Sequence, residues 1–138
     1  MARSYIGRMR IAFGDCDPAQ IVFYANYFKW FDTSTREFFA ACEMPSWPFL
    51  ERYGIIGAPL VDAGAKFLNS ATYGEGIEIE TSVSEWKTRS FILKHVARRG
   101  ATELAIGHEV RVFVSTDPEN PSRLKGIPIP DEIRARCG

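Results

Sequence analysis

Residues 13–24 read FGDCDPAQIVFY, setting two carboxylates and a thiol against an apolar, aromatic run. Four chemistries fit Asp15, Cys16 and Asp17: a cation loop, a thiolate nucleophile, a helix cap and a catalytic carboxylate. A calcium loop of the EF-hand kind needs oxygen ligands at positions 1, 3, 5 and 12 and glycine at 6. Counted from Asp15, those later positions hold Ala19, Asn26 and Gln20, so the match fails. A thiolate at Cys16 needs a base or a positive field nearby. His95 and His108, the two histidines, alternate with apolar residues in distant strand-like segments. Both read as strand histidines, buried or half-buried with a hydrogen-bond partner. As a cap, Asp17 stands several residues ahead of the first clear helical residue, and Asn26 suits a local cap better. A carboxylate beside a helix N-terminus is a different proposition. The free N–H groups there polarise a carbonyl oxygen, and the carboxylate attacks the carbonyl or activates a water. The residues alone leave a structural and a catalytic role open for these aspartates.

Elements must position such a site. Residues 5–13 alternate, with Tyr5, Gly7, Met9, Ile11 and Phe13 on one face and Arg8 and Arg10 on the other, as in a half-buried strand. Gly14 to Gln20 form a loop. From about Val22 to Cys42 the period changes: Tyr27, Phe31, Ser34, Phe38 and Cys42 recur three or four apart. This predicts a helix of about five turns with a wide apolar face, ended by Pro45 and Pro48. Residues 55–71 read as an irregular strand with bends or an edge position. Residues 77–86 alternate cleanly, with Ile77, Ile79, Thr81 and Val83 inward. Residues 90–98 and 104–115 form a hairpin around Arg99, Gly100 and Ala101. Pro130 opens a last helical turn. Consecutive strands with short connections imply an antiparallel sheet, and the greasy helix must bury its face on it. The fold class is therefore α+β, a curved antiparallel sheet wrapped on one central helix, in a single domain over residues 1–138.

Composition narrows the function. Lysine plus arginine and aspartate plus glutamate number 17 each, so net charge argues for neither nucleic acid nor an anionic membrane as partner. Three unclustered cysteines argue against a disulfide framework and a zinc site and suit a reducing cytoplasm. No apolar run is long enough to span a membrane, and the N-terminus has no signal-peptide core.

The stretch RIAFGDCDPAQIVFYANYFKWFD, with GIIGAPLVDAGAKF, EWKTRSFILKH, EVRVFVS and IPIPDEI, resembles the 4-hydroxybenzoyl-CoA thioesterases of the hot-dog fold over nearly the whole chain. The resemblance implies acyl-CoA hydrolysis to free acid and CoA, with no metal or redox cofactor. It places the catalytic aspartate on Asp17, as nucleophile or general base, and the carbonyl-polarising N–H on Tyr24. Asp32 matches a position near the far end of an aromatic acyl group. Trp47 falls where a pocket wall would be, and Lys87 and Arg89 match basic residues that hold the CoA phosphates. Read without the resemblance, Asp32 pairs with Arg36 on the helix, and Lys87 and Arg89 form a solvated strand face. The resemblance also implies a homodimer or homotetramer with interface active sites. Gln20 and Ala58 depart from the pattern, which has glycine and a hydroxyl residue there. Two rival functions remain: a hot-dog hydratase or dehydratase, and a non-catalytic acyl-CoA-binding module.

Overall fold

A computed structural model describes residues 3–44 and 53–138. Strand β1 (Ser4–Arg10) leads through a short 3-10 turn (Phe13–Asp15) to helix α1 (Ala25–Ala41). Strands β2 (Leu60–Phe67), β3 (Gly76–Trp86), β4 (Ser90–Arg99) and β5 (Thr102–Val112) follow. They form one antiparallel sheet with β1, in the order β1-β3-β4-β5-β2. A small ribbon, β6 (Val114–Thr116) and β7 (Leu124–Gly126), precedes helix α2 (Asp131–Cys137). The α+β reading of the sequence is therefore the observed architecture.

Helix α1 buries Tyr27, Phe31, Ser34, Thr35 and Phe38 on the sheet, the stripe expected from their spacing. Close approach is possible because β5 carries Gly107 beneath the Phe31 ring. A Cβ at Gly107 would lie 2.4 Å from Phe31 Cε2. Phe31 also stacks on His95 of β4, with centroids 4.7 Å apart and planes within 4°.

Two apolar clusters lie along α1. One gathers Ile11, Val22, Tyr27, Ala71, Ile77 and Leu104 under its N-terminal half. The other gathers Phe38, Ile55, Phe91, Leu93, Phe113 and Ile133 under its C-terminal half. Between them runs a buried polar band that the alternation of β5 does not announce: Ile106, Val110 and Val112 share a half-buried face, and Glu109 and Arg111 fall on the core-facing side. Thr81 meets His95 Nδ1 at 2.7 Å, and His95 Nε2 donates to Glu109 Oε1 at 3.0 Å. The Thr35 hydroxyl donates to the same carboxylate. Arg111 Nη2 donates to Glu109 Oε2 at 2.9 Å and to Asp32 Oδ1 at 2.7 Å. The band ties α1 to three strands. Burial alone would raise the Glu109 carboxyl, but bonds from His95, Arg111 and Thr35 outweigh it and hold its pKa at about 2.

Several boundaries differ from expectation. β1 stops at Arg10, and Phe13 sits in the 3-10 turn with 74% of its surface exposed, off the strand face. Helix α1 starts at Ala25 because the backbone before it is committed elsewhere. Val22 pairs with Cys16 and donates to Ala71 O at 2.9 Å. Asn26 is not the cap: its amide donates to Asp15 O at 2.8 Å, and Tyr24 takes the N-cap position. The 104–115 run divides into β5 and β6. α2 extends over seven residues rather than one turn. His95 is fully buried, whereas His108 is exposed and pairs with Asp62 at 2.8 Å across β2 and β5. No helix among the described residues is long and apolar enough to cross a membrane.

Candidate active site

The loop between β1 and α1 folds into a tight turn at Asp17. Asp17 N–H donates to Ile21 O at 2.9 Å, and Gln20 N–H returns to Asp17 O at 2.8 Å. The Asp17 carboxylate accepts the Ala19 N–H at 2.8 Å, an Asx turn that leaves its other oxygen without a hydrogen bond inside the loop. A second segment, residues 69–75, braces this turn. Thr72 Oγ1 donates to Gln20 O at 2.6 Å, Glu75 accepts the Thr72 N–H at 2.7 Å, and Arg99 holds both Glu75 and Ser70 O.

Gln20 closes the turn with φ 65°, left-handed backbone that favours glycine. The glycine expected there has a conformational reason, and Gln20 pays for the same turn with strain. Gln20→Gly is expected to stabilise the protein by up to about 1 kcal/mol, the strain relieved less the extra chain entropy of glycine. Urea denaturation measures this; a destabilised variant would contradict the reading of the turn.

Asp15 and Asp17 are not equivalent. Asp15 turns its carboxylate back to the Ala12 N–H at 2.8 Å, and its carbonyl accepts Phe23 N–H and the Asn26 amide. It holds the helix start in place. Asp17 instead lines a cavity of about 570 Å³ with Ile21, Val22, Tyr24, Tyr27, Phe67 and Leu68, closed by Asn69 to Ala71. At its rim Tyr24 is the N-cap of α1, and the Tyr24 N–H meets no acceptor among the described residues. The rings of Tyr24 and Tyr27 lie 6.1 Å and 5.7 Å from Phe67. A carboxylate, a helix start with a free N–H and aromatic walls thus share one cavity, an arrangement able to offer a carbonyl compound both a carboxylate and a donor. Sequence reading did not single out Tyr27, Phe67 or residues 69–71. Tyr27 had merged with the apolar stripe of α1, and the spacing carries no sign that the 69–75 segment folds over the Asp17 turn.

The other expected residues lie elsewhere. Asp32 does not pair with Arg36; it reaches Arg111 of β5, because the buried guanidinium needs a second carboxylate at the surface end of the band. Asp32, Arg36 and Arg111 line a separate cavity of about 470 Å³ with Thr35, Phe39 and Ala58. Ala58 contributes its carbonyl there, accepting from Arg111 Nη1 at 2.8 Å. Lys87 and Arg89 are not on a strand face but in the turn from β3 to β4. The Lys87 N–H donates to Ser90 O at 2.8 Å, and Arg89 reaches Gly126 O at 3.0 Å. That turn is at the far end of β3 from Arg10 and the Asp17 loop, roughly 30 Å away at ~3.3 Å per residue. Trp47 lies outside the described residues. Cys16 is half-buried with its thiol 3.9 Å from Ala12 O, and neither histidine lines its pocket. Among the described residues no three His, Cys, Asp or Glu side chains group to hold a metal ion.

Comparison with known proteins bears on this geometry. Residues 11–137 match the thioesterase-like superfamily. The chain is 40% identical over 144 aligned positions to the 4-hydroxybenzoyl-CoA thioesterase of Pseudomonas sp. (strain CBS-3), covering 99% of each chain. It also superposes on a D17N mutant of 4-hydroxybenzoyl CoA thioesterase complexed with 4-hydroxybenzoyl CoA. There the TM-score is 0.89 and the identity 36%, over 99% of this chain and 100% of that one. A gentisyl-coenzyme A thioesterase matches at TM-score 0.79 and 33% identity, over 96% and 98% of the two chains. A family match over residues 11–137, with near full-length likeness in sequence and in fold, settles the affiliation: this chain is a hot-dog-fold member of the thioesterase-like superfamily.

Proposed function

We propose that the protein is an acyl-CoA thioesterase that hydrolyses an aromatic acyl-CoA to the free acid and CoA. The observation that carries this reading is the single cavity holding Asp17, the Tyr24 N–H and the aromatic walls of Tyr24, Tyr27 and Phe67. In it the thioester carbonyl accepts from the Tyr24 N–H, which stabilises the oxyanion as the tetrahedral intermediate forms. Asp17 acts in one of two ways: it attacks the carbonyl carbon, the C–S bond breaks to expel CoA thiolate, and water then hydrolyses the acyl–Asp17 anhydride; or it takes a proton from a water that attacks the carbon and passes that proton to the departing thiolate. By either route the hydroxyl of water ends on the acid and its proton on CoA. The names of the relatives, which act on 4-hydroxybenzoyl and gentisyl esters of CoA, support an aryl group. No cofactor enters the proposed reaction, and the three free cysteines fit a cytoplasmic site of action.

The same proposal includes a second copy of the chain. Tyr24, Phe67 and Leu68 leave about half their surface exposed at the cavity rim. Strand β2 is an unpaired edge carrying exposed Leu60 and Val61, a face that calls for cover. A homodimer or homotetramer with sites between subunits covers both. It also lets Lys87 and Arg89, too distant within one chain, hold the CoA phosphates of a substrate whose thioester lies at another subunit's Asp17. Asp32 and Trp47 belong to the proposal as contacts to the acyl end on the same terms. A hydratase leaning on histidine fits less well, because His95 is sealed in the polar band and His108 faces outward.

Release of free thiol from benzoyl, hydroxyphenylacetyl and fatty acyl esters of CoA tests the function. Aryl esters are expected to turn over, and no thiol release from any ester would overturn the reading. Replacing both Lys87 and Arg89 with alanine is expected to raise KM for CoA esters well beyond its effect on short thioesters lacking the nucleotide. Equal effects on both would remove the phosphate assignment.

A further inference from the structure

Cys42 and Cys137 are far apart in sequence, and the fold brings them together. Both are 1% exposed and belong to the apolar cluster under the C-terminal half of α1. Cys42 takes the C-cap position of α1, and Cys137 ends α2. Their thiols are hydrogen-bond partners, and Cys137 Sγ also lies 3.3 Å from Met44 Sδ. Two guanidiniums bond the carbonyls on either side of Cys42: Arg3 Nη1 donates to Ala41 O at 2.9 Å, and Arg136 Nη1 donates to Glu43 O. The hydrogen bond from Cys137 outweighs burial and lowers the Cys42 pKa, with Arg3 adding to the effect. The same hydrogen bond, with burial, raises Cys137. One sulfur that ionises beside a second that stays a thiol is the asymmetry a reactive dithiol needs. Cys16 has no such partner, its thiol facing Ala12 O at 3.9 Å.

We propose that Cys42 and Cys137 form a redox modification site, which a hydroperoxide closes to a disulfide that staples α2 to the end of α1. Neither residue lines the Asp17 cavity, so the site is independent of the hydrolytic reading. The Cys42 thiolate attacks one peroxide oxygen, the O–O bond breaks, and the hydroxide released takes up the proton that Cys42 gave. Cys42 is then a sulfenic acid. The Cys137 sulfur attacks the Cys42 sulfur, the S–O bond breaks, and the hydroxyl leaves with the Cys137 proton as water. The two thiols have lost two electrons, and hydrogen peroxide has become two waters. An external thiol reverses the step by exchange. Access comes from local opening of α2, a helix of only seven residues. The link closes a long loop and so constrains the unfolded chain.

The test treats the native, reduced protein with a few equivalents of hydrogen peroxide and follows free thiols, intact mass and a peptide map without reductant. Two of the three thiols are expected to disappear, and the mass to fall by two hydrogen atoms. One peptide should join Cys42 to Cys137, Tm should rise by several degrees, and dithiothreitol should reverse every change. Cys16→Ala should form the same link. Cys137→Ala should form none and should leave Cys42 as a sulfenic acid that dimedone traps. Wild type that keeps Cys42 and Cys137 reduced while Cys16 oxidises would overturn the proposal. So would a link that forms only in urea, or oxygen gained at Met44 with no link. A linked protein with a lower Tm would overturn the stapling of α2.

Discussion

Asp17→Asn is expected to lower turnover of an aryl-CoA by well over 100-fold, about 3 kcal/mol or more in the barrier. The fold should survive, because an asparagine oxygen can still accept the Ala19 N–H that Asp17 now holds at 2.8 Å. What is lost is the charge and basicity of the one carboxylate in the cavity shared with the Tyr24 N–H. Asp15→Asn should behave in the opposite way. Its carboxylate bonds Ala12 N–H and does not line that cavity, so the variant should keep most of its turnover and show its cost in stability. Thiol-release kinetics and thermal denaturation on both variants separate the two roles. Normal turnover in Asp17→Asn would remove Asp17 from the chemistry.

The second large effect concerns stability. Glu109 receives His95, Thr35 and Arg111 in the buried band, and truncation to alanine leaves a buried guanidinium with Asp32 as its remaining carboxylate. Glu109→Ala is expected to cost about 3–5 kcal/mol. The pH dependence follows from the depressed carboxyl. Glu109 titrates at about 2 in the fold, against 4.5 for the ordinary group. The folded state therefore binds fewer protons than the unfolded chain between those values. Its contribution, of order 3 kcal/mol, is fully present above about pH 5 and is lost as pH falls toward 2. Denaturation of wild type and Glu109→Ala at pH 7 and pH 3 should show their gap narrowing at the lower pH. A gap independent of pH would mean that the charge of Glu109 does not carry the effect.

Local periodicity made much of the fold legible. The alternation of residues 77–86 put Ile77, Ile79, Thr81 and Val83 inward, and all four are buried. The stripe from Tyr27 to Phe38 named the face of α1 that meets the sheet. Arg99 to Ala101 marked the hairpin between β4 and β5. The site was legible in part. The loop preceding a greasy helix left Asp15 and Asp17 open; the family resemblance pointed to Asp17 and Tyr24, and both line one cavity. Pairings set by the sheet left no trace in spacing. Nothing in positions 32 and 111 signals that α1 and β5 will lie side by side, so Asp32 was matched with its helical neighbour Arg36. Lys87 and Arg89 alternate like strand residues, yet β3 ends at Trp86 and the chain turns there. Tyr27 shows the opposite difficulty. Its place in an apolar stripe was correct, and that same place hid the polar atom at its tip.

Among the described residues α1 lines at least three cavities, and the aryl thioester is proposed to occupy the one that holds Asp17. A structure of the protein with a non-hydrolysable thioether analogue of an aryl-CoA decides between them most directly. The account predicts the ring among Tyr24, Tyr27 and Phe67, with the carbonyl oxygen within hydrogen-bond distance of the Tyr24 N–H and Asp17 beside the carbonyl carbon. A ring seated instead in the cavity of Asp32, Arg36 and Arg111, with Asp17 free of the ligand, would contradict it.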